Sequence, residues 1–192
     1  MKKFRHVWFG CAALTAIAAT LSAQSAQTPA NPLTTSEKGL YDYVTGVVIA
    51  AAEKMPEENY SFKATPEVRS FGEIVGHIAG AQQMFCATAA GEKPAMPGEK
   101  SKTSKADLVQ GLKDAKAACD KVYSGMTDAQ AGQMANFMGH EMTKLSVLSI
   151  NTAHTDEHYG NLVTYMRLKG IVPPSSENRQ GPPSGKDTSS KE

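Results

Sequence analysis

The chain has 192 residues, 41% of them hydrophobic and 20% charged, with 20 Lys and Arg against 19 Asp and Glu. That near-even balance, without a clustered basic stretch, excludes the electrostatic footprint of a nucleic-acid-binding protein. Beyond the first 26 residues no segment is long and apolar enough to span a bilayer.

Residues 1–26 read as a secretory signal peptide. Lys2, Lys3 and Arg5 form a positive n-region, Val7 to Leu21 an apolar h-region, and Ala23, Ser25 and Ala26 offer small residues for cleavage. About 15 apolar residues are short for an uncleaved anchor, and Cys11 lies too early in the apolar stretch for a lipoprotein cysteine. Cleavage leaves 17 basic against 19 acidic residues, a net charge of −2. The mature chain is thus expected to be periplasmic or secreted, without a membrane partner. Residues 27–35 are a polar lead-in and 36–174 a single domain. Residues 175–192 contain no Leu, Ile, Val or Phe, so they can bury almost nothing and are expected to be disordered.

Four helical patterns fill the domain, and no alternating strand pattern accompanies them. The first runs from Ser36, as N-cap, to Met55, with Leu40, Val44, Val47 and Ala51 on one stripe and Pro56 as terminator. Tyr60 and Phe62 follow as lids on the core. The second opens at Thr65-Pro66-Glu67, a cap, an N1 proline and an acidic first turn. Its apolar stripe is Phe71, Ile74, Ile78, Ala81 and Phe85, and it stops by Gly91. The third runs from Ser104 to Gly125 on Leu108, Leu112, Ala115, Cys119 and Val122. QMANFMG reads as a loop or a short extra turn. The fourth runs from His140-Glu141 to Gly170, with Pro173-Pro174 beyond it.

Four amphipathic helices without strands imply an all-α four-helix bundle. The 91–103 connection is long for a hairpin. Extended, it reaches roughly 43 Å, enough to return along a helix and leave helices two and three parallel.

His154 and His158, four apart in HTDEH, share one helical face with Cβ atoms about 5–6 Å apart. Two imidazoles so placed suit one divalent ion, although two exposed histidines would read the same way. The residue after His154 is Thr155 rather than glutamate, which disfavours a zincin-type protease. Asn151, Asn161 and Tyr165 project near the same face. His6 leaves with the signal peptide, and His140 lies about 21 Å away along the same expected helix. His77 remains as third ligand, or as an ordinary core histidine on helix two.

The segments FGEIVGHIAGAQQMFC and HTDEHYGNLVTYMRLKGIVPPSS resemble the DinB/YfiT-like metalloenzyme superfamily over residues 36 to 175. The resemblance implies an up-down-down-up four-helix bundle and a divalent metal held by three histidines, here His77, His154 and His158. It also implies thiol-dependent S-transferase or isomerase chemistry and admits a homodimer. Three neutral imidazoles leave an ion its full charge and an open position, the style of a catalytic site. Such an ion activates a thiol or water nucleophile on a small-molecule substrate, as in an S-transferase or hydrolase. Zinc and nickel lead among the candidates, with iron and manganese also compatible with imidazole. Glu157, Asn151 and Asn161 are candidates for orienting the ligands or moving a proton. The alternative is a non-catalytic exported bundle that binds a small ligand or metal, or acts as a scaffold.

Cys86 and Cys119 survive export, and an even count in an oxidising compartment invites a disulfide. With helices two and three parallel, the two positions differ by roughly 6 Å along the bundle, against roughly 16 Å if antiparallel. The crossover topology therefore permits the bond, with two small buried thiols as the alternative. The nine methionines read as core filling rather than as a ligand stripe.

Overall fold

The structure is a computed structural model that describes residues 30–94 and 104–177. The expected signal peptide and most of the expected C-terminal tail lie outside the described residues. The elements in chain order are α1 (Pro32–Lys54), a 3-10 turn (Glu57–Asn59), α2 (Phe71–Ala90), α3 (Lys105–Gly125), α4 (Asp128–Ala131), β1 (Met134–Phe137), β2 (His140–Thr143), α5 (Lys144–Leu168) and α6 (Pro174–Glu177). None of the described helices is long and apolar enough to cross a membrane.

α1 begins four residues before the expected Ser36 cap. Pro32 takes its first turn, and the orphan amides of Leu33 and Thr34 donate to the Asp128 carboxylate at 3.1 and 2.9 Å. Asn31 Oδ1 accepts in return from the Asp128 amide at 3.0 Å. The cap is thus supplied from 94 residues away, and Ser36 Oγ instead donates to the Pro32 carbonyl. The buried face is also rotated from the expected stripe. Leu40 is 58% exposed, whereas its neighbour Tyr41 is fully buried together with Val48, Ala51 and Ala52.

α2 begins at Phe71 rather than near Thr65. Ser70 and Glu73 form a reciprocal capping box, with the Glu73 amide donating to Ser70 Oγ at 3.2 Å and the Ser70 amide to Glu73 Oε2 at 2.6 Å. Two capped amides outweigh the proline signal at residue 66. Gly91, with φ of 80°, ends the helix in the left-handed region that glycine adopts without strain. Tyr60 is buried as expected, its hydroxyl donating to the Ala52 carbonyl at 2.5 Å. Phe62 meets Tyr165 edge-on at 5.7 Å.

The contacts set the sense of each helix. Gly72 and Gly76, early in α2, face Leu108, early in α3, while Cys86 and Cys119 meet further along. α2 and α3 therefore run parallel. His77 and Gln82 meet His154 and Thr155, and Tyr165 reaches Arg69, so α5 opposes α2. Glu37 meets Ser149 and Thr152 while Lys54 meets the Val172 carbonyl, so α1 and α5 are parallel. The result is an up-down-down-up bundle in which α2 packs on α3 and α5, and α1 packs on the same two from the other diagonal.

Two apolar clusters fill the bundle. One centres on Phe71, Ile78, Leu112, Leu162 and Met166, the other on Tyr41, Phe85, Tyr123 and Leu148. Fully buried Gln82 contributes to the interior, its amide reaching Thr45 at 3.2 Å and Thr155 at 3.4 Å. Tyr41 stacks on Tyr123 with centroids 4.2 Å apart. Cys86 and Cys119 are joined in a disulfide between α2 and α3, with Cα atoms 5.3 Å apart.

The QMANFMG segment belongs to an antiparallel hairpin, correcting both the loop reading and the expected absence of strands. Its two-residue connection, Met138-Gly139, has φ of 52° and 87°. Positive φ at both central residues matches a turn whose twist suits paired strands. Asn136 Oδ1 accepts from the Gly139 amide at 3.1 Å, and Phe137 stacks on Phe85 at 5.0 Å. His140 consequently lies in β2, and α5 starts later than expected, at Lys144 with Thr143 as cap. Ser175, at the expected edge of the tail, lies in α6 and pairs with the Tyr159 hydroxyl at 2.9 Å.

Candidate metal centre

His77 lies in the middle of α2, and His154 and His158 stand one turn apart on antiparallel α5. The Nε2 atom of His154 is 3.1 Å from that of His77 and 3.2 Å from that of His158. One ligand atom from each of the three lies within 4.8 Å of the others, and all three rings are half-buried. Ring planes cross at 56° to 87°, so nitrogen edges converge while the faces do not stack. Ligands about 2.0–2.1 Å from a tetrahedral zinc lie about 3.3–3.4 Å from one another. The two close Nε2 separations fall a few tenths of an ångström short of that, so the three residues fit a divalent cation and could hold one.

The electrostatics suit neutral ligands. Burial first, then the rings of His158 and His77, push His154 down to about 4. Burial and His77 lower His158 as well, with the Glu157 carboxylate opposing. A metal ligand must present an unprotonated nitrogen, and at neutral pH both α5 rings do.

The surrounding residues divide. Asn161, exposed, has its amide nitrogen Nδ2 3.3 Å from His158 Nδ1. That nitrogen can only donate, whereas a cation on Nε2 would put the ring proton on Nδ1, so the Asn161 amide would have to turn its oxygen to His158 to partner a metal-bound ring. Glu157 is exposed and acts on the two α5 rings through its charge alone. Asn151 is fully buried, its Nδ2 donating to Tyr123 Oη at 3.2 Å and to Cys86 Sγ at 3.7 Å. It makes no direct bond to an imidazole. His140, exposed in β2, stands outside the cluster.

Sequence reasoning missed two contributors. Phe85, placed on the core stripe, also lays its ring 5.6 Å from that of His154 and bridges it to Phe137 of the hairpin. Arg69 adds positive charge that lowers both α5 histidines. Its position in an irregular segment before α2 carried no periodic signal, whereas Phe85 was legible only as apolar.

An up-down-down-up bundle with three histidines gathered from α2 and α5 defines a helical-bundle protein with a candidate metal centre. The DinB superfamily model matches residues 40–162, and the chain belongs to that superfamily. Among solved structures, a DinB-like protein from Bacillus cereus superposes with a TM-score of 0.66 at 19% identity, covering 73% of this chain and 95% of its own. A DinB-like protein from Bacillus subtilis gives 0.61 at 23% identity, covering 71% and 94%. These likenesses concern the fold. No curated protein matches the sequence.

Proposed function

We propose that this chain is an exported metal-dependent enzyme whose divalent ion is held by Nε2 of His77, His154 and His158. The observation that carries the reading is the convergence of those three nitrogens, drawn from two helices and all within 4.8 Å. Closure of a structural zinc site normally takes four protein ligands, and no Cys, Asp or Glu joins this group among the described residues. A bound divalent ion would supply Lewis acidity and lower the pKa of a thiol or water, which suits S-transfer or hydrolysis of a small molecule. The chain's own residues keep His154 and His158 neutral, and Phe85 shields one side of His154. The charged n-region and apolar run of residues 1–26 support export, as does a disulfide, which persists in oxidising compartments.

The test is metal content and turnover. Mature protein prepared without chelator should carry or take up about one divalent ion per chain, and His154→Ala should weaken uptake sharply while leaving the bundle folded. Screening the loaded protein against thiol acceptors and esters should then give turnover that the variant lacks. A chain that takes up no metal would defeat the proposal.

A further inference from the structure

Only two buried side-chain nitrogen or oxygen atoms lack a hydrogen-bond partner among the described residues, Asn151 Oδ1 and His154 Nδ1. They belong to residues three apart on α5, hence on neighbouring positions of one helix face. Both side chains lie against the same stretch of α2. Asn151 Nδ2 reaches Cys86 Sγ at 3.7 Å, and the His154 ring is 5.6 Å from that of Phe85.

The orientation of the Asn151 amide follows from its neighbour. The Tyr123 hydroxyl has a single proton, and the Leu148 carbonyl, 2.9 Å away, can only accept it. Tyr123 therefore accepts from Asn151 at 3.2 Å, which puts Nδ2 on the tyrosine and leaves Oδ1 as the free end. On His154, an Nε2 turned toward a cation requires the ring proton to sit on Nδ1. One buried acceptor thus lacks a donor, and one buried donor lacks an acceptor. Leaving both unmade in the interior is unfavourable, because each group gives up its hydrogen bond to water and gains none.

We propose that Asn151 is a positioning residue for the metal ligand His154, with its Oδ1 receiving the Nδ1 proton through a single buried water. A buried water needs two or more polar partners, and these two atoms provide them. The arrangement holds His154 in the tautomer that frees Nε2, and it ties that ring through Asn151 to Tyr123 and to the Cys86–Cys119 disulfide. The inference rests on the metal reading above and extends it from the three ligands to the interior behind them.

The test compares zinc affinity, by competition with a chromophoric chelator, in mature wild-type protein, Asn151→Leu and Asn151→Asp. Loss of an outer partner of a ligating histidine typically weakens metal binding about 10–100-fold, and Asn151→Leu should fall in that range. Asn151→Asp keeps the oxygen and should bind zinc at least as tightly as wild type. A merely structural role for Asn151 would weaken both variants alike, since both lose the N–H bond to Tyr123, and that result would overturn the proposal. So would wild-type affinity in Asn151→Leu. Imidazole nitrogen NMR of zinc-loaded wild-type protein gives an independent readout. His154 should carry its proton on Nδ1, in slow exchange with solvent, and a proton found on Nε2 or exchanging freely would refute the bridge even if the leucine variant fails to fold. Absence of zinc uptake by wild-type protein would remove the metal reading itself, whereas uptake insensitive to position 151 would remove only this inference.

Discussion

Removing the bond between Cys86 and Cys119 is the perturbation whose cost the structure specifies most fully. The bond closes a loop with a sequence separation of 33 and joins two parallel helices that share one core. Loop-closure entropy for that span is worth about 3.5–4 kcal/mol to the folded state. Both cysteines are buried, at 2% and 0% exposure, so replacing them with alanine also removes two packed sulfur atoms, adding about 1–2 kcal/mol. The double Cys86→Ala, Cys119→Ala variant should therefore lose about 5 kcal/mol, a large share of a typical domain's 5–15 kcal/mol. For a domain of this size that lowers Tm by about 10–20 °C. Urea unfolding followed by circular dichroism measures the loss, with the mature chain compared oxidised, reduced and doubly substituted. In urea without reductant the oxidised chain should show no reactive thiol. Two reactive thiols under those conditions, or a stability change below about 1 kcal/mol on reduction, would refute the reasoning.

Three further outcomes follow from the fold and the site. Tyr41→Ala should cost about 3–5 kcal/mol because the ring is fully buried and stacked on Tyr123. Leu40→Ala, at an exposed position beside it, should stay within about 0.5 kcal/mol, and the reverse ranking in denaturant titrations would contradict the helix register. Asp128→Ala should fray the start of α1, seen as faster hydrogen exchange at Leu33 and Thr34, whose amides it accepts. Unchanged exchange there would remove Asp128 as the cap. The metal-free protein should weaken as pH falls below about 6.5. His154 has a folded-state pKa near 4 against 6.5 when unfolded, so its neutral form stabilises the fold above 6.5 and that contribution disappears toward pH 4. The half-buried ring screens the effect to about 1–2 kcal/mol. His154→Phe should lose less stability than wild type between pH 7 and 4.5, and equal losses would count against the shift.

How far the sequence reached depends on where each signal comes from. Helix interiors were legible because burial imposes the 3.6-residue period on their apolar residues, and α3 carries its cap, Ser104, in its own sequence. Helix starts were missed where the cap comes from elsewhere. Asp128 completes α1 across the bundle, and no local pattern at Ser36 could reveal it. At α2 the signal was present in Ser70 and Glu73 but was overshadowed by Thr65-Pro66-Glu67. The hairpin was hidden because its left-handed turn position holds Met138, not the Asn or Gly that usually marks such a turn. The histidine group was legible because few histidines compete for it and helical spacing puts two on one face. Helical spacing sets Asn151 near that face, but its pairing with Tyr123 depends on α3 and no spacing within α5 could show it.

X-ray absorption at the metal edge of zinc- or nickel-loaded mature protein tests the central claim most directly. The account predicts one ion per chain with three imidazole nitrogens, about 2.0–2.1 Å away for zinc, and a count that falls to two in His77→Ala. An ion surrounded by oxygen alone, or by imidazoles whose number does not change when His77 is removed, would contradict it.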